Sequence, residues 1–79
     1  MIRIDARGMR CPWPALRLAR ALRHAEPDAV IELLADDPAA PRECAAVAVA
    51  TGWALNRLAE DQFSIVRAQP VNALFTTQA

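Results

Sequence analysis

The residues with the clearest chemical potential are Cys11, Pro12, Trp13 and Pro14, a cysteine followed by two prolines that flank a tryptophan. A proline disfavours helical dihedrals in the residue before it, so the spacing predicts extended conformations for Cys11 and Trp13 and a helix that begins no earlier than Pro12. Cys11 is therefore expected at the N-terminal end of a helix. There the helix dipole and the adjacent Arg10 should modestly favour the thiolate, which is the nucleophilic form.

The position three residues after Cys11 distinguishes two kinds of thiol chemistry. A disulfide oxidoreductase of the Cys-x-x-Cys type has a second thiol there, whereas this chain has Pro14. A neighbouring thiol would attack a persulfide on Cys11, form an internal disulfide and expel the sulfur as sulfide. Pro14 in place of that thiol therefore favours a sulfur atom that stays on Cys11.

The second cysteine, Cys44, lies in a different setting. It shares the apolar stripe of a predicted helix with Val47 and Ala48, which predicts a buried structural thiol rather than a redox partner. No metal is expected, because two distant cysteines and the single His24 give no ligand spacing. All nine basic residues are arginine, so catalysis through a lysine imine is excluded, and no cofactor is expected.

Further polar and aromatic residues are candidates for supporting or docking roles. Asp36 and Asp37 follow the second strand, at the edge where Cys11 is expected, and Asp37 before Pro38 suits a cap or turn that opens the next helix. Trp13, a large side chain between two prolines beside the thiol, is expected to dock a partner. The basic candidates for docking are Arg42 and a stripe formed by Arg17, Arg20 and His24. This stripe is either a solvated face or a surface for an acidic partner.

Hydrophobic periodicity predicts four strands and two helices. A short first strand around Ile2 and Ile4 is followed by a helix with apolar positions from Ala15 to Ala25. The later elements are a strand over 29–35, a helix over about 41–51 that ends at Gly52, and strands over 53–58 and 63–67. The right-handed crossover rule makes the first two strands parallel and places both helices on one side of the sheet. The predicted fold class is α/β (α+β), a two-layer βαβαββ sandwich with a four-stranded mixed sheet, followed by a tail over 70–79.

Length, composition and charge limit the possible functions. The chain of 79 residues is 54% apolar and has nine acidic and nine basic side chains, which indicates one compact domain. Its formal net charge of zero argues against direct nucleic-acid binding. No apolar run is long enough to cross a membrane, and Arg3 and Asp5 interrupt the segment that a signal peptide would need to be apolar. We therefore expect a cytoplasmic protein with reduced thiols.

The stretch from Asp5 to Pro14 resembles the TusA/SirA-like family of small sulfur-carrier proteins, whose signature is a Cys-Pro-x-Pro motif. The resemblance extends to about Gln69, and residues 1–69 are expected to form one TusA-like domain. The further segments that carry it are Ala35 to Ala39, Arg42 with Glu43, and Gly52. The chain departs from the pattern at Trp53, where relatives often have a histidine, so a partner specificity that depends on that position is not expected here.

The resemblance implies a function as well as a fold. Cys11 would accept sulfur as a persulfide from a donor such as a cysteine desulfurase and deliver it to a downstream sulfurtransferase, with Arg10, Pro12, Pro14 and Asp37 in supporting roles. Such a protein is a sulfurtransferase-type carrier that acts with partner enzymes, a monomer that forms transient complexes. In different members of the family the sulfur goes to tRNA thiolation, molybdenum-cofactor biosynthesis or sulfur oxidation.

Two alternatives to a sulfur carrier stay open at this point. A thiol redox protein would form an internal disulfide between Cys11 and Cys44. A protein-binding or regulatory module with an incidental cysteine would keep its full function when Cys11 is replaced by serine.

Overall fold

The computed structural model describes residues 1–68 and contains the predicted βαβαββ order. The bounds are, in chain order, β1 (Ile2–Asp5), α1 (Trp13–His24), β2 (Ile31–Leu34), α2 (Ala40–Ala50), β3 (Trp53–Ala59) and β4 (Gln62–Arg67). Of the predicted elements, the second strand is shortened at both of its ends. The tail that was predicted over 70–79 lies outside the described residues.

The four strands form one mixed sheet in the order β1-β2-β4-β3. β1 and β2 are parallel, with Ile4 opposite Leu33, and β4 is antiparallel to both β2 and β3. β2 and β3 therefore run in the same direction, and each helix connects two strands of the same direction. Both helices consequently begin at the edge of the sheet formed by the carboxyl ends of β1 and β2, which we call the C-terminal edge.

The core lies between the sheet and the two helices. Phe63 and Ile65 of β4 pair with Leu33 and Ile31 of β2, and all four side chains are fully buried. The buried helical positions recur every three or four residues, as expected for helices that cover one face of a sheet. These positions are Ala15, Leu18 and Leu22 in α1 and Ala40, Cys44 and Ala48 in α2.

The end of α2 confirms one expectation, and the start of α1 corrects another. Gly52 follows α2 with a φ of +86°, the left-handed conformation predicted there. Trp13 is already the first residue of α1, so the prediction that it is extended before Pro14 is wrong. The Trp13 N–H donates to the carbonyl oxygen of Arg10 at 2.8 Å, and Pro14 is buried in the first turn, where its missing N–H costs nothing. These contacts outweigh the steric preference of a residue before proline.

Candidate functional site

Cys11 lies in the loop between β1 and α1, two positions before the helix begins, and its side chain is exposed. The loop is fastened to the end of β2 by two hydrogen bonds. The Ala6 N–H donates to the carbonyl oxygen of Leu34 at 2.7 Å, and the Gly8 N–H donates to Asp36 Oδ1 at 2.9 Å. Asp36 therefore lies at the same edge as Cys11, as expected from the parallel pairing of β1 and β2, and it has a structural role there.

The closest partner of Cys11 is Glu43. The thiol donates a hydrogen bond from Sγ to Glu43 Oε2 at 2.7 Å. Glu43 lies in the first turn of α2, and it reaches Cys11 because both helices begin at the C-terminal edge. The other carboxylate oxygen, Oε1, is buried and has no hydrogen-bond partner among residues 1–68. The site is therefore centred on a pair formed by a thiol and a carboxylate.

This pair corrects the predicted electrostatics of the thiol. The hydrogen bond with Glu43 is the largest cause that raises the pKa of Cys11 above its ordinary value. Desolvation and the negative charges of Glu43 and Asp37 act in the same direction, and Arg42 is the cation that opposes them. The prediction that the helix terminus and Arg10 favour the thiolate is wrong for the free protein, because the nearby carboxylates outweigh them.

Asp37 lies at the C-terminal edge, where the sequence placed it, but it does not occupy the N-cap position of α2. Its Oδ2 accepts a hydrogen bond from the Ala39 N–H at 3.0 Å, and its carbonyl oxygen accepts one from the Ala40 N–H at 2.9 Å. The N-cap residue is Ala39, which makes no side-chain cap. Asp37 therefore stabilises the turn that leads into α2, and its charge also acts on Cys11.

Two arginines near the loop donate hydrogen bonds to Asp5. Arg7 donates from Nε and Nη2 to the two carboxylate oxygens of Asp5, at 2.9 and 2.8 Å, and this pairing lowers the pKa of Asp5 to about 2. Arg17, predicted as a docking residue, donates from Nη1 to the carbonyl oxygen of Asp5 at 2.9 Å. Both guanidinium groups therefore hold the end of β1, from which the loop that carries Cys11 departs.

An exposed apolar surface adjoins the thiol. The side chain of Trp13 is 60% exposed, and that of Leu16, one helical turn further along α1, is 50% exposed. Residues three apart lie on the same face of a helix, so the two side chains extend one surface. Leu16 was not among the predicted docking residues, although its spacing from Trp13 in the sequence indicates the shared face.

The other predicted docking residues lie at the surface. Arg42 is exposed in the first turn of α2. Its charge lowers the pKa of Cys11 and so opposes the effect of the nearby carboxylates. Arg20 is exposed further along α1 and borders a shallow depression with Arg17 and His24. Cys11 does not line this depression. The thiol is thus presented on an exposed edge, which suits a partner of protein size.

Cys44 is fully buried, as predicted. The pKa of its thiol is raised to about 11, mainly by burial and secondly by the charge of Glu43. Both cysteines are free thiols. The buried side chain of Cys44 is therefore shielded from the reagents and partners that can reach Cys11.

Glu43, which contacts Cys11, is the site residue that the sequence did not indicate. In the sequence it contributes, with Arg42, only to the family resemblance. The available signal was its position in the first turn of a helix that begins at the same edge as Cys11. Neither local propensity nor the cysteine motif itself indicates which side chain from α2 reaches the thiol.

The fold and the exposed motif cysteine define a small α+β sandwich of the SirA-like class, and comparison with known proteins agrees. The crystal structure of a SirA-like protein from Desulfitobacterium hafniense matches with a TM-score of 0.74 and 30% sequence identity, over 87% of this chain and 100% of that chain. Residues 2–67 match the family described as Sulfurtransferase TusA. The chain belongs to the sulfurtransferase TusA family.

A curated relative is similar over part of its length. A protein of Archaeoglobus fulgidus named "Putative sulfur carrier protein" is 45% identical over 40 residues, which is 51% of this chain and 52% of that protein. This chain therefore aligns with about half of the relative. Within residues 1–68, neither helix has the length and apolar character that a membrane span requires.

Proposed function

We propose that this protein carries sulfane sulfur as a persulfide on Cys11. It accepts the sulfur from a protein persulfide, such as that of a cysteine desulfurase, and delivers it to a downstream sulfurtransferase. The observation that carries the proposal is the placement of Cys11, an exposed thiol at the C-terminal edge beside the exposed Trp13 and Leu16. The final destination of the sulfur depends on which acceptor docks and not on chemistry within this chain.

The transfer is an exchange at divalent sulfur. Cys11 Sγ attacks the terminal sulfur of the donor persulfide, a new S–S bond forms to Cys11, and the S–S bond within the donor breaks. The donor cysteine leaves as a thiol, and Cys11 retains the S–SH group. Delivery repeats the same exchange in the other direction, with a thiol of the acceptor as the nucleophile.

The buried state of Cys44 supports a carrier over a thiol redox protein. Resolution of a persulfide on Cys11 by an internal thiol would require Cys44 to leave the core and to ionise. Its side chain is fully buried, and its pKa is raised to about 11. Pro14 occupies the position where a resolving cysteine would lie in the motif. A persulfide on Cys11 can therefore persist until an acceptor arrives.

The surface around Cys11 supports a protein partner. Trp13 and Leu16 offer apolar contact area on α1, and aromatic side chains of this kind are enriched at the centres of interfaces. Arg42 on α2 supplies a cation near the thiol. A partner that covers this surface with apolar contacts and an acidic rim would bring its own cysteine to Cys11.

The test is sulfur loading followed by intact-protein mass spectrometry. Incubation with a cysteine desulfurase and cysteine should make the wild-type chain one sulfur atom heavier, and a reducing agent should reverse the gain. Cys11→Ser should abolish the gain, whereas the matched variant Cys44→Ser should retain it. Labelling that requires Cys44 and survives the loss of Cys11 would contradict the proposal. An intramolecular disulfide in oxidised wild-type protein would favour the redox alternative instead.

A further inference from the structure

We propose that Glu43 is a catalytic residue that accepts the proton of Cys11 during sulfur loading and returns one during delivery. This inference rests on the proposed function, because it concerns the proton that must leave Cys11 before the sulfur atom can attack. Its evidence is the contact between Cys11 and Glu43, which the family motif around Cys11 does not include.

The geometry of the Cys11 and Glu43 pair suits proton transfer. A general base must lie within hydrogen-bond reach of the proton that it removes. Glu43 Oε2 accepts the S–H of Cys11 at 2.7 Å in the free protein, so no rearrangement is needed before the proton moves. The two residues are fixed by different elements, the loop before α1 and the first turn of α2. Their contact therefore follows from the fold and not from their proximity in the chain.

The other carboxylate oxygen of Glu43 makes no competing contact. Glu43 Oε1 is buried without a hydrogen-bond partner among residues 1–68, and an unpaired buried acceptor carries an unrecovered desolvation cost. Within these residues, the hydrogen bond from Cys11 to Oε2 is the polar contact of the Glu43 carboxylate. No other described residue engages this carboxylate, so it is available to act on the proton of Cys11.

The resting state of Cys11 is the neutral thiol. Negative charges from Glu43 and Asp37 disfavour a thiolate at Cys11 as long as Glu43 is ionised. Transfer of the proton to Glu43 Oε2 removes the larger of these charges at the moment when the thiolate forms. The neutral carboxyl group can then donate a hydrogen bond back to the sulfur, which stabilises the thiolate.

The complete step balances without any further reagent. The S–H bond of Cys11 breaks, an O–H bond forms on Glu43, and Cys11 Sγ attacks the terminal sulfur of the donor persulfide. The S–S bond of the donor breaks with both electrons on the donor cysteine, which takes the proton from Glu43. The products are a donor thiol, a persulfide on Cys11 and an ionised Glu43, so the carboxylate is regenerated. In delivery, Glu43 takes the proton of the acceptor thiol as that thiol attacks the outer sulfur, and it passes this proton to Cys11 as the S–S bond to Cys11 breaks.

The experiment measures two rates in Glu43→Gln and in a matched control, Glu26→Gln. Glutamine keeps the size of the side chain but cannot act as a base, and Glu26 is an exposed residue beyond the other end of α1. One rate is the alkylation of Cys11 by iodoacetamide as a function of pH, followed by peptide mapping. The other is the single-turnover loading of sulfur from a desulfurase that already carries its persulfide. Tryptophan fluorescence verifies that each variant is folded.

A Glu43 that acts as a base and a Glu43 that acts only through its charge predict opposite effects of Glu43→Gln on sulfur loading. Glu43→Gln should shift the alkylation profile to lower pH, because the carboxylate whose hydrogen bond and charge raise the Cys11 pKa is gone, yet it should slow sulfur loading by about 10-fold or more. Glu43→Asp, which restores a carboxylate at a greater distance, should load sulfur faster than Glu43→Gln, and Glu26→Gln should match the wild type in both rates. Faster loading in Glu43→Gln would overturn the proposal and leave Glu43 as an electrostatic brake.

The outcomes also separate this proposal from the carrier function. Unchanged loading in Glu43→Gln, with normal loading of the wild type, would overturn the role of Glu43 alone. Wild-type protein that takes up no sulfur on Cys11 would overturn the carrier function together with the role of Glu43 in it. The alkylation profile needs no sulfur donor, so it tests the contact between Cys11 and Glu43 in either case.

Discussion

Replacing Cys44 with alanine should reduce the fall in the free energy of unfolding that this protein shows as the pH rises into the alkaline range. The chain has nine basic side chains, all arginine, and no tyrosine. Arginine stays protonated throughout the accessible range, so the side chains that ionise at alkaline pH are the two thiols. This short list makes the contribution of one buried cysteine measurable.

The sign and size of the effect follow from the burial of Cys44. Its pKa is raised from an ordinary 9.0 to about 11 in the folded protein, so the folded state binds this proton more tightly than the unfolded state. The contribution is therefore complete below pH 9.0 and is lost as the pH rises towards about 11. At 1.36 kcal/mol for each pKa unit the loss amounts to roughly 3 kcal/mol. This is a large part of the ~5–15 kcal/mol that stabilises a typical domain.

Urea denaturation at a series of pH values, under reducing conditions, measures the effect. Trp53 is buried and its fluorescence reports unfolding, and a Trp13→Phe background removes the signal of the exposed tryptophan. Cys44→Ala should lower stability at neutral pH by about 1 kcal/mol through the lost packing, and this loss should not depend on pH. Its free energy of unfolding should then fall much less than that of the wild type between neutral and strongly alkaline pH.

Cys11→Ala is the matched control for this experiment. The pKa of Cys11 is also raised, so its titration acts in the same direction, but the exposed thiol is screened by solvent. This variant should keep most of the alkaline loss. The reasoning is refuted if Cys44→Ala loses as much stability as the wild type at alkaline pH, or if the wild type shows no loss there.

Three further substitutions test single features of the structure. Gly52→Ala should destabilise the protein by about 1–2 kcal/mol in urea denaturation, because φ is +86° there while the added Cβ would meet only Arg67 Nε at 3.8 Å. Asp36→Ala should cost about 1 kcal/mol, since the Gly8 N–H loses its acceptor. Trp13→Ala should change stability by less than about 0.5 kcal/mol, because the side chain is 60% exposed, but it should raise the donor concentration that half-saturates sulfur loading.

The sequence was informative wherever a local pattern decides the structure. The alternation around Ile4 and the glycine after α2 predicted a strand and a helix end that the structure confirms. The burial of Cys44 followed from its place on an apolar helical stripe. The handedness of crossover connections then placed the Cys11 loop and the start of α2 at one edge. These steps use rules that apply to any chain with this order of elements.

The features that could not be predicted depend on contacts between elements. Pattern places α2 at the C-terminal edge, but its rotation about its own axis decides whether Arg42 or Glu43 faces the thiol. The sign of the pKa shift at Cys11 follows from that rotation, because a carboxylate raises the pKa and a guanidinium lowers it. Local reasoning used the adjacent Arg10 and therefore reached the wrong sign.

A thiol with a raised pKa would hinder a carrier that had to act alone, but it is consistent with a carrier that acts within complexes. In loading, Cys11 must lose a proton to become the nucleophile, and in delivery it is the leaving group, which departs more readily when it is protonated. One group placed at Glu43 Oε2 meets both needs, since a base in one direction is an acid in the reverse direction. If the proposed role is right, Glu43→Gln must slow delivery to the acceptor as well as loading. A variant that loads slowly but delivers at the wild-type rate would show that Glu43 acts on the donor complex alone.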